Sequence, residues 1–414
     1  MKKIFKSNFA FSVLPALLVI LIHLVSLFKY ESVQFDSYEY LSIANNIISN
    51  GQYSVSQINS KDFPQFLGES PTRMRQPIYP VFLALLFFFF GKSIISVQIV
   101  QLILSILTLF LIVDFGKRIF GSDYSKFNNI ILSMYFPLWM LTTSILTETV
   151  FIFFIIISFR YYIISKEKKE FKFILLSGIL LGLAFLTRPI ALILFFIIGI
   201  IHIYPSEKVN YKYLSIFVLG FMLVIIPWTL RNYFVMDDIT PLSSDGGYNL
   251  YASTLGVNEK PWINDVGFIE AVQNGYYLDN RANKEFVNLA VKNFYNDPIS
   301  YITFGIKRII KTWSYFPGSR MFENNSIVFY AFSLIQFLII ILAIFGWIKF
   351  RRKNNLTLLI VPIIAFSIVL FFSYSISRFL IPVMPFVLLL AGQYFTDIIG
   401  IIGKMSQKTS NDIF

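Results

Sequence analysis

Asp36 is an acid in a chain that holds few: Asp and Glu number 23 in 414 residues, against 35 Lys and Arg. It stands in Phe35-Asp36-Ser37-Tyr38-Glu39-Tyr40, just past the first long apolar run. A carboxylate there can take a proton from an attacking hydroxyl. It can also start a helix, since Glu39 three residues on completes a capping box, and the two roles are compatible. Arg73 and Arg75 precede Pro77-Ile78-Tyr79-Pro80. Guanidinium groups bind phosphate oxygens in a bidentate way, while Arg and Tyr also anchor helices at a membrane surface. Glu148 lies in the short turn Leu146-Thr147-Glu148-Thr149 between two apolar runs. There a carboxylate suits the positive start of the next helix, or it orients a substrate hydroxyl. Arg188-Pro189, Arg231-Asn232 and Arg378 sit at the edges of other apolar runs. Snorkelling explains each Arg singly; a common anionic ligand explains them jointly.

The elements that must position these groups are membrane helices. The chain is 56% hydrophobic and 14% charged, with a mean hydropathy of +0.67, whereas soluble domains are about one-quarter charged. Repeated long apolar runs predict an all-α polytopic membrane protein and not a barrel of short alternating strands. The net charge of +12 comes from Lys and Arg gathered in short loops, which records insertion direction and not nucleic-acid binding. With no Cys, disulfides and thiolate chemistry are excluded.

Lys2, Lys3 and Lys6 precede the apolar run Phe9 to Phe28, read as an uncleaved first span with a cytoplasmic start. Further spans are predicted near 93–116, 128–146, 148–165, 173–187, 189–204, 213–230, 327–348, 356–375 and 379–402, about ten with the first. One topology then keeps Lys117, Arg118, Lys126, Lys166, Lys168, Lys169, Lys172, Lys208, Lys212, Lys349 and Arg351 to Lys353 inside, with both termini. Residues 77–90 make a helix of roughly 21 Å, short of the ~30 Å hydrocarbon core, and are read as re-entrant or interfacial. The organisation expected is a transmembrane part at 1–230 with a first outer loop at 29–92, an outer helical cap at 231–326, and C-terminal spans with a tail at 327–414.

On that map Asp36, Arg73, Arg75, Glu148, Arg188, Arg231, Asn232 and Arg378 share the outer surface. Arg in short outer loops runs against insertion preference, so the set asks for an anionic ligand. A P-loop, a Gly-rich dinucleotide turn, a His cluster and an Asp-x-Asp pair are all missing from the sequence, and no metal is called for. A lipid-phosphate donor fits, because Arg alone can meet a single phosphate. A transporter or lipid flippase is the rival reading; it predicts mid-span charges, and none is plain. A non-enzymatic membrane assembly protein is a second rival, with the Arg set as anchors only.

The ordered series of these pieces resembles the C-type (GT-C) membrane glycosyltransferases, most closely the bacterial branch similar to protein O-mannosyltransferases and lipid A aminoarabinose transferase. The resemblance is carried by Asp36-Ser37 with Tyr40, Arg75-Gln76-Pro77-Ile78-Tyr79-Pro80, Leu146-Thr147-Glu148 and Leu186-Thr187-Arg188-Pro189. Pro227-Trp228 through Arg231-Asn232-Tyr233, Gly247-Tyr248-Asn249-Leu250, and Arg378 with Pro382 and Pro385 continue it. It implies an inverting enzyme of the cell membrane that moves a sugar from a polyprenyl-phosphate carrier to a lipid, glycan or protein hydroxyl on the extracytoplasmic face. Its partners are that donor, the acceptor and membrane lipids, with no nucleic acid and no further cofactor. Asp36 matches the family's catalytic base and Glu148 the carboxylate of its second outer loop. Arg73, Arg75, Tyr79, Arg188, Arg231, Asn232 and Arg378 are the substrate-binding candidates. The protein mannosyltransferases carry Asp-Glu where this chain has Asp36-Ser37, so a protein acceptor is not implied; the chain is also short for the family.

Overall fold

The computed structural model describes residues 2–29, 32–33, 35–56, 70–203, 211–256, 280–317, 326–353, 355–374 and 376–411; Lys208 lies outside them. The elements are α1 (Lys2–Lys29), α2 (Phe35–Asn50), β1 (Ser54–Val55), β2 (Ser70–Pro71), α3 (Ile78–Phe90), α4 (Ile94–Phe120), α5 (Phe127–Met134), α6 (Phe136–Met140), α7 (Glu148–Lys168), α8 (Phe171–Phe185), α9 (Ala191–Ile203) and α10 (Tyr211–Met236). Then come α11 (Gly246–Thr254), α12 (Asn280–Asn296), α13 (Pro298–Ser314), α14 (Ser326–Phe350), α15 (Thr357–Phe372), a 3-10 turn (Ser377–Val383) and α16 (Met384–Asn411). The protein is a polytopic helical membrane protein. Five described helices are long and apolar enough to cross a bilayer by length and composition: Ile94–Asp123, Glu148–Lys168, Tyr211–Met236, Ile327–Phe350 and Ser377–Ile402.

The other apolar stretches, Val13–Phe28, Ile78–Phe90, Phe171–Phe185, Ala191–Ile200 and Thr357–Phe372, are shorter. The predicted span at 128–146 is in fact broken: α5 ends at Met134 and α6 begins at Phe136. Pro137 has no N–H to give the carbonyl of Ser133, so the ladder cannot continue. α3 is 13 residues long, roughly 20 Å, which keeps it short of a crossing. It packs Tyr79, Leu83, Ala84 and Phe87 against Tyr40 and Ala44 of α2, and turns Leu85 and Phe88 to Phe90 outward. One feature departs from an all-helical chain: β1 and β2 pair antiparallel, Ser54 opposite Pro71 and Val55 opposite Ser70. Two residues per strand leave no periodicity to read in the sequence.

Close backbone contact holds the bundle. A Cβ on Gly178 of α8 would lie 2.2 Å from the Phe217 carbonyl of α10, and one on Gly220 of α10 would lie 2.4 Å from the Leu175 carbonyl. Small residues let membrane helices approach this closely where apolar burial gives no drive for association. At the end of the bundle rich in Lys, Asp114 meets Arg118 at 2.8 Å and Arg160 at 2.6 Å, and Lys353 meets Asp123 at 2.6 Å. At the other end α11, α12 and α13 pack together. Buried Arg308 of α13 donates to the carbonyls of Ser253 (2.6 Å), Gly256 (3.3 Å) and Phe371 (2.7 Å), so one guanidinium closes the C-terminal turns of α11 and α15.

Overpacking the glycine contact should be costly. Gly178→Val is expected to destabilise the fold by about 1–3 kcal/mol, read as a lower unfolding temperature in detergent. Gly199→Val, where a Cβ meets nothing within 4 Å, is the matched control and should leave that temperature unchanged.

Candidate active site

α2 places Asp36 in its first turn and Glu39 one turn further; residues three apart share a helix face. The capping box does not form between them. Asp36 stands inside the helix, and Glu39 reaches instead to Arg75 Nε. Arg75 sits in the bent stretch between β2 and α3, where Tyr53 donates its hydroxyl to the Arg75 carbonyl at 2.9 Å. From there its guanidinium meets three carboxylates: Glu39 through Nε, Asp36 at 3.0 Å and Asp245 at 3.2 Å. The Tyr40 ring lies 5.4 Å from its centre.

A second group adjoins the first. Glu148 opens α7 and is 1% exposed. Arg188, just past α8, lies 3.0 Å from its Oε1, and Arg378, at the start of the 3-10 turn, lies 3.3 Å from the same oxygen. Arg378 also donates to Asp36 at 2.8 Å, which joins the two groups into one cluster. Arg188 further lies over the rings of Phe151 and Phe379, at 5.8 and 5.5 Å. Charge proximity is not hydrogen bonding here. Both Glu148 oxygens, Arg188 Nη1 and Arg378 Nε are buried without a hydrogen bond among the described residues, an expensive arrangement unless a ligand supplies the partners.

The electrostatics divide the two acids of α2. Burial pushes Asp36 up, but Arg75 and Arg378 outweigh that and bring it down to about 2. Glu39 goes the other way: burial pushes it up to about 7, with Arg75 opposing and Asp36 and Asp245 adding to the rise. Asp36 is therefore ionised at neutral pH with a guanidinium on each oxygen. Its share of stability is present above the ordinary carboxylate range near ~4 and is lost only as pH falls through about 2.

The structure brings together Asp36, Arg75, Glu148, Arg188 and Arg378 from the sequence candidates. The others lie beside the cluster and brace it. Arg73 pairs with Asp238 at 2.7 Å and donates to the Leu242 carbonyl at 2.8 Å, which draws the 238–245 segment, and with it Asp245, toward Arg75. Arg231 donates to the carbonyls of Thr72 and Tyr53, both at 2.9 Å, under cover of the Trp228 ring. Asn232 donates to the Thr240 carbonyl at 2.7 Å, and Tyr79 donates its hydroxyl to Gln101 at 3.0 Å. Two members of the cluster escape sequence reasoning. Glu39 has an obvious local role as a cap partner, and Asp245 lies 170 residues from Arg75, just outside the Gly247-Tyr248-Asn249-Leu250 stretch that drew the eye instead.

Residues 72–230 match the family profile of dolichyl-phosphate-mannose-protein mannosyltransferase. Among solved structures the fold is similar to the oligosaccharyltransferase of Archaeoglobus fulgidus. Its complex with zinc and sulfate is 12% identical, with 95% of this chain and 49% of that one covered and a TM-score of 0.57. Its complex with an inhibitory peptide and a dolichol-phosphate is 13% identical, with 96% and 51% covered and a TM-score of 0.53. The chain spans about half the length of these proteins. A looser likeness, to ArnT of Cupriavidus metallidurans bound to undecaprenyl phosphate, has 12% identity, 94% and 78% coverage and a TM-score of 0.44, too low to build on. No curated protein matches by sequence. The chain is thus similar to the C-type membrane glycosyltransferases in fold and, over 72–230, in sequence.

The archaeal structure was obtained with zinc. Here, among the described residues, no three His, Cys, Asp or Glu side chains converge as a ligand set. The carboxylates of the cluster face guanidinium groups instead.

Arg75 is the joint of the cluster, and removing it strands buried acids. Arg75→Gln is expected to destabilise by about 3–5 kcal/mol, measured by thermal unfolding in detergent. Adding Glu39→Gln should recover part of that loss in a double-mutant cycle, because one uncompensated carboxylate is then gone.

Proposed function

We propose that this protein is an inverting glycosyltransferase that moves a sugar from a polyprenyl-phosphate carrier to an acceptor hydroxyl on the extracytoplasmic face of the cell membrane. The observation that carries the reading is the buried cluster at one end of the helices. There Arg188 and Arg378 hold N–H groups without acceptors beside an ionised Asp36. A phosphate provides the missing acceptors in a form that guanidinium groups bind well. The family match over 72–230 and the archaeal neighbour's complex with a dolichol-phosphate support the same donor class.

The transfer is a single displacement. The acceptor oxygen attacks the anomeric carbon and its proton passes to Asp36. The bond from that carbon to the phosphate oxygen breaks, and the electron pair leaves on the phosphate. Arg188 and Arg378, each about one-fifth exposed, meet the growing charge in surroundings that water screens weakly. Glu148, held between the same two Arg, keeps them pointed at the phosphate and can accept a hydrogen bond from a sugar hydroxyl. Arg75 is fully engaged with carboxylates and serves the acid side of the site instead of clamping phosphate. The excess of Lys and Arg at the far end of the bundle supports a cytoplasmic location there, and with it an outer location for the cluster. Residues 231–326, in this reading, form the cap that faces the acceptor.

The test is a transfer assay with defined polyprenyl-phosphate sugars in detergent or liposomes. Asp36→Asn should lower kcat by on the order of 10²–10⁴ while donor binding persists. Arg188→Gln should lower it by on the order of 10²–10³. Movement of the intact lipid across the bilayer with no sugar transfer, or full activity in Asp36→Asn, would overturn the assignment.

A further inference from the structure

Among the described residues the cluster sets four carboxylates, Asp36, Glu39, Glu148 and Asp245, against three guanidiniums, Arg75, Arg188 and Arg378. Arg73 and Asp238 cancel each other alongside. Fully ionised, the cluster therefore has a net charge of −1. That is a poor seat for a phosphodiester, whose own negative charge interacts strongly in surroundings that water screens weakly. One proton on a carboxylate makes the empty cluster neutral.

The side chains differ in how well they can carry it. Asp36 has a guanidinium on each oxygen, and Glu148 has two near one oxygen. Asp245 keeps a fifth of its side chain in solvent. Glu39 is 4% exposed, and its one guanidinium partner among the described residues, Arg75, is shared with two other acids. Building on the donor reading above, we propose that the lipid phosphate enters the site together with a proton, and that Glu39 holds that proton.

The charged and titratable groups facing Glu39 are Arg75 from the stretch before α3, Asp245 from the segment before α11, and Asp36 and Tyr40 from its own helix. Burial foremost, then the neighbouring acids, bring it to about 7, so near neutral pH the proton is only partly in place. The arriving phosphate adds negative charge and draws in the remainder from solvent; no covalent bond changes. Donor affinity is then full below about pH 7 and falls above it.

Calorimetry on the full chain in detergent, in two buffers of different ionisation enthalpy, tests this directly. The probe is a polyprenyl methyl phosphodiester, whose single charge does not change near neutrality. The wild type is expected to take up about half a proton per lipid bound at about pH 7, with affinity falling by up to about tenfold per pH unit above it. Glu39→Gln should bind with no proton uptake and a flat affinity, and Glu39→Asp should retain uptake. Binding without proton uptake in the wild type, or uptake that survives in Glu39→Gln, overturns the inference and leaves the donor reading standing. Failure of the wild type to bind the phosphodiester overturns both.

Discussion

Everything around the charged cluster of this protein is arranged about one guanidinium with three carboxylates on it. Arg75 draws Asp36 and Glu39 of α2 and Asp245 of a segment far along the chain to one point. Charges removed from water are costly unless paired, so these groups fix each other's positions. α2 cannot rotate without separating Glu39 from Arg75, and the segment before α11 cannot lift away without pulling Asp245 off the same guanidinium. The placement of Asp36 is a consequence of that mutual constraint, and Arg378 extends it to the last helix.

Two kinds of Arg serve this end of the molecule, and they differ in what their N–H groups meet. Arg73 and Arg231 give theirs to backbone carbonyls and to Asp238. They work as struts that hold the short β ribbon and the segment after α10 against each other. Arg188 and Arg378 stand instead among carboxylates, Arg188 beside Glu148 and Arg378 beside Glu148 and Asp36. The first kind braces the backbone beside the cluster; the second belongs to the cluster itself. Both look alike from their neighbours in the chain, since each lies at the edge of an apolar run.

That likeness explains how far the sequence could be read. Apolar runs were enough for a polytopic helical protein, and their edges for picking out Asp36, Glu148, Arg188 and Arg378, which the structure gathers into one cluster. Position along a helix is not azimuth. Arg231 and Asn232 lie at the same end, yet their helix turns them to the backbone of Thr72, Tyr53 and Thr240. Glu39 was masked by a plausible local partner, and Asp245 by sheer separation in the chain. The break at Tyr135 was legible in Pro137 only to a reader willing to divide an otherwise continuous apolar run.

Arg308 deserves a mechanical reading. It ties the last turn of α11 to the last turn of α15; Asp245 stands at the opposite end of α11, and Arg378 follows α15 by a few residues. One side chain thus pins the carbonyl ends of two helices and fixes the spacing between the stretches that carry Asp245 and Arg378.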